Sequence, residues 1–199
     1  MNREELKEKY GKKRVPREWR GTDLLSTLIT TFFGSGMSPK APGTMGSLAA
    51  TIVAYPMAIF AAKEPLGQTD YMVGSVNFGW CFNLFFICAA LIVFFGAIPF
   101  VNKAMKDTAT EDPGWIVIDE VCGIFMALAF IPTEFILAQP WILAIAFALF
   151  RFFDILKPLG IHRFEKFPKA WGVMADDLLG GLYAGIVLYL GLVLVVALT

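Results

Sequence analysis

Two stretches of this sequence leave little freedom in what the chain can become. Residues 78–101 read FGWCFNLFFICAALIVFFGAIPFV and residues 178–198 read LLGGLYAGIVLYLGLVLVVAL, with no charged residue in either. About 20 predominantly apolar residues suffice for a helix to cross the ~30 Å hydrocarbon core of a bilayer. A backbone in that medium must satisfy its own hydrogen bonds, which an α-helix does. A third stretch, 45–62, is shorter and contains Pro56, which a membrane helix tolerates. Two further apolar segments carry charge: 115–130 with Asp119 and Glu120, and 140–156 with Arg151 and Asp154. Segment 24–33, LLSTLITTFF, is too short to span and reads as interfacial or as dipping in and out. The expectation is an all-α, polytopic membrane helical bundle with about five crossings, the two charged segments being open to a re-entrant reading.

Composition agrees. Hydrophobic residues make up 57% of the 199 residues, charged residues 17%, and mean hydropathy is +0.63. Seventeen basic residues balance 17 acidic ones, which argues against nucleic acid as a partner. Cys81, Cys88 and Cys122 lie in apolar segments without metal-ligand spacing and read as buried thiols. The first twenty residues mix basic residues with Glu4, Glu5, Glu8 and Glu18 and lack an apolar core, so they are not a secretory signal. Residues 1–23 read as a charged cytoplasmic N-terminal segment with a short helix over 3–20, and residues 24–199 as the membrane-embedded domain.

Lysine and arginine orient the bundle. Residues 1–23 contain eight, 63–77 one, 102–114 two, 131–139 none and 157–177 four. The positive-inside rule puts the N-terminus, 102–114 and 157–177 on the cytoplasmic side, and 63–77, 131–139 and the C-terminus outside.

That orientation has a consequence for the acids. Asp119 and Glu120, then Arg151, Asp154 and Lys157, then Asp176 and Asp177 all fall at the inner ends of their segments, together with the loop FFGSGMSPKAPGTMGS at 32–47. Ionisable groups at the edge of hydrocarbon are costly and mark function. Each has a plainer reading. The DE pair could be a solvated helix end, Arg151 and Asp154 an internal salt bridge, the DD pair a helix N-cap, and the loop a linker. The coincidence of all four on one face is harder to dismiss. Five carboxylates there require a cation, and oxygen ligands with no histidine nearby suit a hard ion, most naturally Mg2+. The single histidine, His162, rules out a histidine cage.

The fragments FGSGMSPKAPGTMGSLAA, IVIDEVCGIFMAL, FRFFDILKPLGI and GVMADDLLGGLYAG, in this order and at these separations, resemble the phosphatidylglycerophosphatase A family over about residues 30–190. The resemblance implies a helical enzyme of the bacterial inner membrane that uses magnesium to remove the terminal phosphate of phosphatidylglycerophosphate, a step of phospholipid biosynthesis. It aligns Asp119 and Glu120 with the family's DE pair, Asp154 with the acid of its RxxDxxKP stretch, and Asp176 and Asp177 with its DD pair.

The expected mechanism follows. Asp119, Glu120, Asp154, Asp176 and Asp177 hold magnesium, which binds phosphate and acidifies an attacking water; an aspartyl-phosphate on Asp119 or Asp176 is the open alternative. Arg151, Lys157 and Lys40 stabilise charge on the transferring group. Gly36 and the other loop glycines let backbone N–H groups approach phosphate, and Ser35, Ser38, Thr44 and Ser47 add hydroxyl donors. No cysteine is followed six positions later by arginine, and there is no Asp-x-Asp pair. A magnesium-dependent lipid phosphotransferase and a small cation transporter are the rival readings. A phospholipid in the bilayer is the expected partner.

Overall fold

The structure is a computed structural model that describes residues 18–63, 72–73, 76–77, 83–110, 113–158 and 160–198. The expected helix over 3–20 lies outside these residues except for a 3-10 turn at Glu18–Gly21, and most of the 63–77 loop lies outside them too. Seven α-helices occur among the described residues: α1 (Leu24–Thr30), α2 (Pro42–Ala61), α3 (Leu84–Thr108), α4 (Ile118–Leu128), α5 (Thr133–Ala138), α6 (Ile142–Leu156) and α7 (Ala170–Leu198). A two-residue antiparallel ladder, Met72–Val73 with Val76–Asn77, is the sole departure from helix and turn among the described residues. The fold is all-helical, as the long apolar runs led one to expect.

Among the described residues, three helices are long and apolar enough to cross a membrane: α2, α3 and α7. The count of five is not confirmed. At 1.5 Å per residue α4 is about 16 Å long and α6 about 22 Å, both short of ~30 Å. The reason is visible in α4. Its apolar residues are buried all round, from Ile118 and Val121 to Ala127 and Leu128. It is enclosed by α2, α3, α6 and α7. A helix apolar on every face belongs inside either a bilayer or a protein, and length decides for protein. The expected placement of 131–139 outside depends on α4 and α6 crossing. If α4 to α6 dip and return, 102–114 and 157–177 still share a side.

Close backbone approach makes the enclosure possible. A Cβ at Gly181 in α7 would overlap the Gly123 carbonyl of α4, and one at Gly123 would overlap the Phe150 ring of α6. Both ends of α3 are tied to neighbours. Asn83 accepts from Phe86 N at 3.4 Å, capping α3, and donates to Thr133 Oγ1 at 2.7 Å and Ile131 O at 3.2 Å. Asn102 Oδ1 accepts from Ala170 N at 3.1 Å, capping α7 from across the bundle. Cys122 is buried, with Sγ 3.3 Å from Ala90 O. Cys88, expected to be buried, faces outward from α3; on a membrane-crossing helix an apolar thiol is as well placed against lipid as in a core. Cys81 lies outside the described residues.

Candidate active site

Three elements converge on one carboxylate cluster. Asp119 and Glu120 occupy the first turn of α4, where acids oppose the partial positive charge of the helix N-terminus. Asp177 comes from α7, and its helix is pressed against α4 by the Gly123–Gly181 crossing. One oxygen from each of Asp119, Glu120 and Asp177 lies within 4.8 Å of the others. Asp154, from the last turn of α6, faces Asp177. The expectation that Asp176 and Asp177 stand at a helix start is corrected: α7 begins at Ala170, so both lie well inside it and cannot be its N-cap.

The bases divide between the acids. Arg151 Nη1 lies 2.5 Å from Asp154 Oδ2 and 3.9 Å from Glu120 Oε1, and it donates to Ser47 Oγ at 3.4 Å. One guanidinium thus links α2, α4 and α6. Lys157 does not continue the Arg151–Asp154 face. It follows α6 in the left-handed region at φ 44°, just before Pro158, and its Nζ lies 2.5 Å from Asp176 Oδ2. Of the five carboxylates foreseen, the structure gathers Asp119, Glu120 and Asp177 into the tightest group, sets Asp154 beside it, and engages Asp176 with Lys157.

Charge within this pocket is unbalanced. Five formal negative charges face two positive ones, and Asp119, Asp176 and Asp177 are each at most 9% exposed. Glu120 Oε2 and Arg151 Nε are buried without a hydrogen-bond partner. Buried carboxylates need counter-charge or metal coordination. An all-oxygen donor set of this spacing fits a hard divalent cation such as Mg2+.

The loop before α2 behaves differently from its sequence reading. Ser35 donates to Thr31 O, Ser38 to Lys40 O and Ser47 to Gly43 O, so these hydroxyl protons are committed to backbone. Gly36 N donates to Thr31 O, and a Cβ on Gly36 would strike the Trp115 carbonyl, so this glycine serves packing. Lys40 is exposed. The residue that reaches the cluster is Gly43. A Cβ there would overlap Glu120 Oε1 and stand 3.4 Å from Arg151 Nη1. Gly43 and Thr44 lie in the first turn of α2, whose N-terminus has no side-chain cap. First-turn N–H groups lack intrahelical acceptors and favour anions. Sequence reading missed this because it began the helix at 45. Pro42, at the first helical position, was the available signal.

The phosphatidylglycerophosphatase A family profile matches residues 28–192. A phosphatidylglycerophosphatase A of Haemophilus influenzae is 42% identical over 163 residues, covering 81% of this chain and 85% of that protein. A Bacteroides thetaiotaomicron protein named "Putative phosphatidylinositol-3-phosphatase" is 38% identical over 167 residues, covering 83% and 92%. A phosphatidylglycerophosphatase A of Escherichia coli is 33% identical over 166 residues, covering 82% of each. No solved structure matches.

Proposed function

The chain belongs to the phosphatidylglycerophosphatase A family, and on that premise we propose that it hydrolyses the terminal phosphomonoester of phosphatidylglycerophosphate to phosphatidylglycerol and phosphate, with magnesium and at the cytoplasmic face of a bacterial inner membrane. It is a phosphatase and a membrane protein; the substrate, the ion and the sidedness are the proposal. The observation that carries it is the largely enclosed Asp119–Glu120–Asp177 cluster, with Arg151 alongside and the uncapped start of α2 abutting it.

A phosphate monoester is a dianion whose unaided hydrolysis is extremely slow, so catalysis rests on positioning and charge stabilisation. Asp119, Glu120 and Asp177 would hold magnesium, with Asp154 beside them. Such an ion, when bound, supplies Lewis-acid stabilisation of phosphate oxygens and lowers the pKa of water. Arg151 keeps Nε free of other hydrogen bonds while Nη1 engages Asp154 and Ser47, so the guanidinium is oriented before the substrate arrives. The N–H groups of Gly43 and Thr44 add donors without charge. Lys157 holds Asp176 and so fixes the register of α7, on which Asp177 depends. In this reading the charge-neutralising roles foreseen for Arg151 and Lys157 are split: Arg151 meets phosphate, and Lys157, paired with Asp176, positions α7.

The test is phosphate release from phosphatidylglycerophosphate by the purified protein. Release that stops in excess chelator and returns with magnesium supports the proposal; full turnover in chelator would remove the metal from it. The relative from Bacteroides favours including a second headgroup, phosphatidylinositol 3-phosphate, as a competing substrate. A higher kcat/KM on that lipid would reassign the headgroup and leave the chemistry unchanged.

A further inference from the structure

The burial pattern of α1 is inside out. Ser26, Thr27, Thr30 and Thr31 are at most 4% exposed, whereas Leu24 is 75%, Leu25 58% and Phe33 81% exposed. In water a short surface helix turns its leucines inward and its hydroxyls outward. Here Thr27, Thr30 and Thr31 donate to carbonyls four residues back, at Asp23, Ser26 and Thr27, and these threonines are enclosed. The backbone then spends unusual conformations to hold the arrangement. Phe32 and Phe33 both have positive φ, at 44° and 56°, and Gly34 follows at 95°. That run turns the chain out of α1 with the Phe33 ring projecting away from the protein. A non-glycine residue in the left-handed region is strained and persists where its surroundings compensate.

The surroundings are specified on either side. Immediately before α1 stands a polar belt: Lys103 Nζ pairs with Asp23 at 2.6 Å, Thr22 donates to Asp107 at 2.9 Å, and Arg20 lies over the Trp19 ring. The Lys103 ammonium holds the Asp23 carboxyl well below the usual carboxylate range. Beside α1 runs the membrane-crossing helix α3, on which it packs. The loop after Phe33 leads into α2, whose outer face exposes Met45, Leu48 and Ile52. The apolar face of α1 therefore stands beside a helix long and apolar enough to cross a membrane, with a polar belt at its start.

We propose that α1 and Phe33 are inserted among acyl chains just beneath the headgroups, as a hook that fixes the depth of the catalytic cluster. The hook is coupled to that cluster directly. Thr30 O accepts from Val117 N at 2.8 Å, at the residue preceding α4, and Asp119 and Glu120 follow within its first turn. An interfacial helix sits about 5–10 Å below the boundary of headgroups and chains, the depth at which a lipid carries the phosphate only a short distance above.

The test uses the full chain in phosphatidylcholine–phosphatidylglycerol vesicles, with its three cysteines replaced and an environment-sensitive fluorophore on one new cysteine at a time: Leu24→Cys, Leu25→Cys, Phe33→Cys and, as the aqueous reference, Arg20→Cys. All four positions are exposed, so the label displaces no core contact. The expected result is blue-shifted emission at 24, 25 and 33, quenched by spin-labelled lipid near the top of the acyl chain and resistant to iodide, with the reverse at 20. Iodide quenching at 24, 25 and 33 would overturn the proposal by placing α1 in water. Resistance to both quenchers there would overturn it as well, by covering the face with protein.

Discussion

Arg151 engages acids in the structure and, in the proposed reaction, phosphate, and the two roles separate experimentally. Its guanidinium sits 3.9 Å from Glu120 and 2.5 Å from Asp154, so it competes with any cation entering the cluster. A unit charge a few ångströms away at an effective dielectric near 20 is worth a few kcal/mol. Arg151→Gln should therefore tighten Mn2+ binding by on the order of tenfold, read by titration of the free-ion resonance, while phosphate release falls. A residue that merely braced the fold would weaken both. Arg151→Lys keeps the charge but loses the planar fork, so it should restore normal Mn2+ affinity and recover little activity. Among the acids, the geometry ranks what the sequence treated alike. Asp177→Asn and Glu120→Gln should each lower kcat by roughly 10²–10³-fold, the cost of losing one preorganised electrostatic group. Asp176→Asn, whose partner is Lys157, should cost distinctly less. Equal losses at 176 and 177 would show that both carboxylates enter the chemistry.

Helix α4 owes its place to two glycines, and that dependence can be measured. Gly181→Ala would drive a methyl group into the Gly123 carbonyl, and Gly123→Ala would strike Phe150 and the Asp177 carbonyl. Overpacking of this kind costs about 1–3 kcal/mol, and here it would also spread the acids of α4 and α7. Both variants should unfold at lower temperature in detergent and lose activity. Gly180→Ala, one residue away, meets only ordinary contacts near 3.8 Å, and Gly191→Ala meets nothing. These two should match the parent or gain slightly, since alanine favours helix over glycine by up to about 1 kcal/mol. The contrast between 180 and 181 also shows what could be read beforehand. The segments α2, α3 and α7, the end of α6 before Pro158 and the grouping of acids were legible, because apolar runs, proline and charge are written locally. The enclosure of α4 was not, because an apolar run looks the same to a bilayer and to a protein core. Nor was the identity of the glycine that approaches Glu120. Gly36, Gly43 and Gly46 are alike in sequence, and only the packing of Val117 and Trp115 against Gly36, and Val117 against Gly46, separates them from Gly43.

At the scale of the whole molecule, sidedness and substrate form rest on one arrangement. If α2, α3 and α7 span and the α4–α6 unit dips and returns, 102–114 and 157–177 lie on one side and 63–77 on the other. Cysteines at Lys103 or Lys169, in a cysteine-free background, should resist an impermeant thiol reagent in intact cells, and one at Gln68 should react; the reverse would detach the cluster from a cytoplasmic pool of substrate. The same arrangement sets what the cluster can select. Outward faces of α2, α3 and α7 expose aliphatic and aromatic side chains such as Ile52, Phe95 and Leu190, so acyl chains can lie beside the bundle while only the phosphate reaches the acids. Water-soluble glycerol 3-phosphate presents the same reacting group without tails. Moving a methylene out of water contributes about 0.8 kcal/mol, but a membrane lipid is out of water before it meets the enzyme, so that gain is not available for binding. What the tails supply is confinement to a plane and an orientation of the headgroup toward the cluster, an entropic advantage that acts before chemistry begins. The preference should therefore appear in kcat/KM for phosphatidylglycerophosphate over glycerol 3-phosphate in vesicles. It should shrink when a short-chain, water-soluble analogue is compared in detergent above its micellar concentration, where confinement is weaker. Equal kcat/KM for the soluble ester and the vesicle-borne lipid would mean that the cluster is open to water on all approaches, and that the chain acts on phosphate monoesters at large.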